Sequence, residues 1–169
     1  MTDVPEVDAK VLGGLLSRAI ARSIEMRDVH NREFLAQLDA LARLQLNAGH
    51  HAVALRLFEH TARIRLQDLG SDHPDSLKAL SNVAGALAAG GMSAAARELL
   101  RRVEQIRSTV LGVDHPDTLN TLDSIAGTLT ADGHPAQAAS IYETIIERAD
   151  RLHYSSLAQA ATNNLAYTL

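Results

Sequence analysis

A chain of 169 residues with a formal net charge of −4 is long enough to bury one substantial core, and its pI of about 6.0 gives no basic field to attract nucleic acid. Apolar residues make up 46% of it but aromatics only 3%, without tryptophan, so the core must be filled by Leu, Ile, Val and Ala. The absence of cysteine excludes disulfides, thiolate metal sites and cysteine nucleophiles, and no apolar run approaches the roughly 18–20 residues that span a bilayer.

The first ten residues, MTDVPEVDAK, are acidic and lack the apolar stretch and cleavage site of a signal peptide, so the expected location is the cytoplasm. Lysine occurs only as Lys10 and Lys78 among many arginines, a codon bias that suggests a GC-rich bacterial gene. Over 6–28, Val7, Val11, Leu12, Leu15, Leu16, Ile20 and Ile24 form an amphipathic stripe, which predicts an N-terminal helix within 1–30. Gly13-Gly14 weakens it by about 1 kcal/mol per glycine relative to Ala, so a bend or a close helix contact is expected there.

From residue 31 the chain repeats itself. LGSDHPDSL at 69–77 returns as LGVDHPDTL at 111–119, and aligning 69–110 with 111–152 gives about fifteen identities in 42 positions. The period extends back to Leu38, Ala42, Gly49 and Ala54. Each period reads as two helices. Leu77, Leu80, Val83, Ala84 and Leu87 share one helical face, and Ala95, Ala96, Leu99, Leu100, Val103 and Ile106 share another. Gly49, Gly91 and Gly133 end the first helix of each pair, where a positive φ is required. No strand signal interrupts the pattern, so the fold class is all-α.

The repeated nonapeptide is a joint between units. Pro74 and Pro116 suit the first helical position, where a missing N–H costs nothing. Asp75 and Asp117 then lie in the first turn, favoured by the positive end of the helix dipole, with Asp72 or His73, and Asp114 or His115, as the caps. Residues 155–168 match a first helix again, after a joint shortened by two residues in which His153-Tyr154-Ser155-Ser156 replaces the motif. This predicts one domain over 1–169: the N-terminal segment, repeats at 31–68, 69–110 and 111–152, an unpaired last helix in 153–169, and about eight helices in all.

With the LG-x-DHPD-[ST]-L joint, the small residues Ala42, Ala84, Ala126 and Ala166, the turn glycines and Ala54, Ala96 and Ala138, the sequence resembles the tetratricopeptide repeat family. The likeness is to its 42-residue form, associated with kinesin light chains and many bacterial regulators, and covers roughly 31–169. Phe58, Leu100 and Tyr142 fill the family's bulky site in the second helix, whereas Leu38, Leu80 and Leu122 replace the usual aromatic of the first. The resemblance implies a right-handed α-α superhelix whose first helices line a concave groove for a peptide or partner-protein segment.

In kinesin-light-chain-like repeats, paired asparagines of the first helix hold an extended peptide's backbone. The resemblance places Asn163-Asn164, Ser81-Asn82, Asp123-Ser124 and Asp39-Ala40 at that position here, since an amide can donate to and accept from a peptide unit. One turn further on lie Arg43, Gly85, Gly127 and Tyr167, and one turn earlier Ala36, Lys78, Asn120 and Ala160. The candidate groove residues are therefore Asp39, Arg43, Lys78, Ser81, Asn82, Asn120, Asp123, Asn163, Asn164 and Tyr167. Gly85, Gly127 and Ala88 either leave the floor open or merely allow close helix packing. The groove lacks the Lys and Asn cluster with which chaperone-binding relatives clamp a C-terminal carboxylate.

Eight histidines invite a metal reading, but no HExxH or His-x₃-His pair with carboxylates is present. No metal or cofactor is expected, and His50-His51 reads as solvated turn. Arg97, Arg101, Arg102 and Arg107 lie among Glu98 and Glu104, as on an ion-paired outer face. No Walker A loop, G-x-S-x-G elbow or G-x-G-x-x-G fingerprint occurs, so no catalytic residue is assigned and an enzyme is not expected. The partner is expected to be a protein or peptide, neither nucleic acid nor membrane. The alternatives are a homodimer formed through LAQAATNNLAYTL, whose Leu157, Leu165 and Leu169 have no following helix, or the sensor part of a larger bacterial regulator.

Overall fold

A computed structural model describes residues 31–168; the helix expected over 6–28 and the side chain of Leu169 lie outside that range. The described residues form seven helices and no strand: α1 (Asn31–Asn47), α2 (His51–Leu69), α3 (Pro74–Ala89), α4 (Ser93–Val110), α5 (Pro116–Ala131), α6 (Pro135–Arg151) and α7 (Ser155–Thr168). Each packs on its neighbours in the chain. Helix α3 also touches α5, and α5 touches α7, whereas α2, α4 and α6 share no contact of comparable extent. From α3 onward the odd-numbered helices therefore occupy the inner, tighter side of the stack, and the repeat period gives α1 the equivalent place.

Alanine makes this closeness attainable. Ala42, Ala84 and Ala126 in the inner helices and Ala54, Ala96 and Ala138 in the outer ones are completely buried. Without larger side chains at those points the helix axes can approach to about 8–10 Å. Phe58, Leu100 and Tyr142, all buried, fill the wider spaces between them. Ala166, at the corresponding place in α7, is exposed. Most of the buried apolar residues fall into two clusters, one across α1–α3 around Leu57 and Phe58, the other across α3–α7 around Leu119, Ile125 and Ile145. Leu87 and Leu99 pack against both.

The joints settle which residue caps. His73 and His115 are the N-caps of α3 and α5, and the Nδ1 of each accepts a hydrogen bond from the N–H of Asp75 or Asp117 at 3.1 Å. Pro74 and Pro116 open the helices behind them. Helices α1, α3 and α5 close on Gly49, Gly91 and Gly133, with φ of 80°, 81° and 76°. In α3, the N–H of Gly91 bonds the carbonyl of Ala88 and that of Met92 the carbonyl of Leu87, the paired closure that needs a left-handed residue. The shortened joint between α6 and α7 uses the same closure with a non-glycine, His153, at φ 59°.

A candidate ligand groove on the inner helices

The inner side of the stack is faced by α1, α3, α5 and α7, and the residues expected there fall into three groups. Arg43, Lys78, Asn120, Asn163 and Tyr167 are exposed, Tyr167 to 88%. Ser81, Asn82, Asp123 and Asn164 are half-buried. Asn164 donates from Nδ2 to Asp123 Oδ1 at 2.8 Å, tying α7 to α5. The Asn163 side-chain oxygen accepts from Gln159 at 3.0 Å, and the Ser81 hydroxyl donates to the carbonyl of Leu77 at 3.0 Å.

Asp39 stands apart. It is only 7% exposed, and both carboxylate oxygens are engaged inside the first helix pair, one by the Thr61 hydroxyl and the other by the Arg65 guanidinium, each at 2.7 Å. Helical periodicity gives the face of Asp39 but not its partners on α2, so the carboxylate that the sequence assigned to a ligand holds the fold instead.

The glycines of the inner face are not demanded by packing. A Cβ added at Gly85 would meet nothing within 4 Å, and at Gly127 the nearest atom would be the Tyr142 hydroxyl at 4.0 Å. Both residues are exposed, and they leave the floor of the inner side open. The Tyr142 ring rises from α6 beneath Gly127. Burial pushes its phenol pKa up and the nearby Asp123 carboxylate adds to this, while a hydrogen bond with Thr130 opposes it. At the end of the face, an open pocket of about 630 Å³ lies between Asn120 of α5, Ser155 and Ala160 of α7, and His153 and Tyr154 of the shortened joint.

The arginine strip of α4 divides differently from the expectation. Arg101 and Arg102 are exposed, but Arg97 and Arg107 turn inward and grip α5 at its two ends. Arg97 pairs with Asp132 and lies 3.4 Å from the Thr128 carbonyl. Arg107, 8% exposed, donates to the Asp117 carbonyl at 3.0 Å and to the Thr121 hydroxyl at 2.7 Å. Two further arginines, Arg148 and Arg151, reach from α6 to Asp114 in the joint before α5. One histidine was also missed: His60 is buried in α2, and burial, followed by the charge of Arg63, holds its pKa below 6.5. Among the described residues no three His, Asp or Glu side chains gather as a metal site would require.

A family profile for the tetratricopeptide repeat matches residues 34–109 and, one period on, 77–151. The chain belongs to the tetratricopeptide repeat family. Its architecture is accordingly the family's right-handed α-α superhelix, and repeats of this family generally mediate protein–protein interaction. A crystal structure of a kinesin-light-chain-like protein from Podosopora anserina, built of nearly identical TPR-like repeats, is similar, with a TM-score of 0.70 and 28% identity; the match covers 79% of this chain and 64% of that one. A single-residue variant of the same protein matches equally well. BtubC (BKLC) from P. vanneervenii shares the fold, with a TM-score of 0.69 and 18% identity over 96% of this chain and 66% of that one. The tetratricopeptide chain thus spans about two thirds of the length of these solved relatives. No curated protein matches the sequence. Among the described residues no helix is long and apolar enough to cross a membrane.

Proposed function

We infer that this tetratricopeptide repeat protein is an interaction module that binds a peptide or partner-protein segment along its inner face, with 31–68, 69–110 and 111–152 as its repeats and 153–169 as an unpaired helix that adds to the groove. The observation that carries this reading is the open floor. Glycine inside a helix costs about 1 kcal/mol relative to Ala, and neither Gly85 nor Gly127 recovers that cost by packing. What the glycines leave is room beside polar side chains that can serve a peptide backbone. Ser81, Asn82, Asp123, Asn163 and Asn164 supply those hydrogen bonds, while Arg43, Lys78 and Tyr167 tune the choice of ligand. No catalytic chemistry is assigned to the module, and its place of action is the cytoplasm.

A segment selected from a peptide-display library on the full chain provides the probe. The double substitution Ser81→Ala/Asn163→Ala is expected to weaken its binding about tenfold, two hydrogen bonds at roughly 0.5–1 kcal/mol each, while circular dichroism stays unchanged. Unaltered affinity in the double variant would remove these residues from the site.

A second reading has its own observation. Leu157 and Leu165 on α7 are only half-buried against the second apolar cluster, which leaves apolar surface suited to a second copy. Light scattering across a dilution series tests it, since a dimer formed this way is lost when the chain is cut after Leu152. A dimer that survives truncation has its interface elsewhere.

A further inference from the structure

Two cations and a carboxylate on or behind the inner face form no ion pair among the described residues. Positions 65 and 107 are one 42-residue period apart, and both hold an arginine on an outer helix. Arg65 is neutralised by Asp39 at 2.7 Å. One period after Asp39 stands Ser81, whose hydroxyl is turned back onto its own helix. Arg107 therefore has no equivalent of Asp39: its bonds go to a carbonyl and a hydroxyl, and no carboxylate pairs with it among the described residues.

A guanidinium buried without a carboxylate is costly. Burial accordingly pushes the pKa of Arg107 down, with Asp117 opposing. Lys78, one turn before Ser81, is exposed and likewise unpaired, and Gly85, one turn after it, leaves the floor clear. On the next inner helix the same position holds Asp123, which receives an amide N–H from Asn164 but no cation. The face is thus positive at α3 and negative at α5, and these two helices touch.

We propose that the groove selects an extended protein segment with an acidic and a basic residue about three positions apart, the acid held at Ser81 by Lys78 and Arg107 and the base held by Asp123 beside Asn164. This rests on the inner face being a peptide groove. The spacing follows from packed helices lying about 8–10 Å apart and an extended chain advancing about 3.3 Å per residue. Asp39 shows which occupant fits: in the first helix pair the chain builds the carboxylate in, and in the second it omits the carboxylate that the ligand then supplies.

The test measures fluorescence anisotropy at low salt on the full chain, with fluorescein-labelled Gly-Ser-Glu-Ser-Thr-Lys-Ser-Gly, the same peptide with Glu and Lys exchanged, and versions of each carrying Gln for Glu or for Lys. One charge order is expected to bind better than the other, and either Gln replacement in it weakens binding roughly three- to tenfold. Ser81→Asp gives Arg107 an internal partner, so the variant keeps or raises its melting temperature and no longer distinguishes Glu from Gln. Asp123→Asn keeps the Asn164 contact and no longer distinguishes Lys from Gln. If the Gln versions bind as tightly as their parent peptides, or Ser81→Asp keeps the preference for Glu, the charge assignment falls and the groove stands. If these peptides fail while a display-selected neutral segment binds, the charge assignment falls as well. If neither they nor any display-selected segment binds, the groove reading falls and carries this one with it.

Discussion

Asp39, Ser81 and Asp123 hold one position of the repeat and do three different things, and each difference comes from what stands opposite. An arginine and a threonine from α2 draw Asp39 inward, Ser81 turns to its own backbone, and Asp123 meets an amide of α7. A sequence shows the shared position but not these partners, which lie up to 41 residues away. The same holds for His60, whose burial nothing in its neighbours announces. Because its folded pKa is lowered, unfolding lets it take up a proton once the pH falls below about 6.5. Stability is therefore full above that value and declines as the pH drops toward the folded pKa. Urea midpoints measured at about pH 7.5 and about pH 5.5 should differ more for the native chain than for a His60→Leu variant. The glycines of the inner face give a prediction of the opposite sign. Gly85→Ala and Gly127→Ala meet no obstacle and should each stabilise the fold by about 0.5–1 kcal/mol, read as a higher melting temperature, while the added methyl groups weaken ligand binding.

The helices were the most legible level. Apolar spacing marks the helices, proline at the first position marks the starts of α3 and α5, and glycine after the last turn marks the ends of α1, α3 and α5, because all three signals are local. The caps were legible only as a choice between neighbours, and the structure chose histidine. A histidine caps through a neutral ring nitrogen, so its removal should resemble the loss of any N-cap: His73→Ala and His115→Ala are each expected to cost about 0.5–1 kcal/mol. Asp at either position should restore most of the loss, and a thermal melt series would show it. Equal melting temperatures for native and Ala chains would mean that Pro74 and Pro116 alone start these helices. The α6–α7 joint shows where local signals end. Its missing motif predicts a different connection, but not that His153 would take a backbone conformation filled elsewhere by glycine.

Across the whole molecule the period announces a stack, and the stack was legible; how its core is divided was not, because that depends on which side chains meet between units. The two apolar clusters communicate through Leu87 and Leu99. Leu99→Ala should therefore lower stability by about 2 kcal/mol and also loosen cooperativity, so that urea unfolding followed by circular dichroism becomes shallower. A midpoint shift with an unchanged slope would show that the halves are coupled by other contacts. The uneven helix contacts have a mechanical consequence. Inner helices that touch from α3 onward, and outer helices without contact of comparable extent, make the stack resemble a bellows hinged along one seam: the outer edge can spread or close while few contacts break. Curvature is then the soft coordinate of the protein, and an occupant of the inner side would be felt as a change of pitch on the outer side, where a second protein could read it.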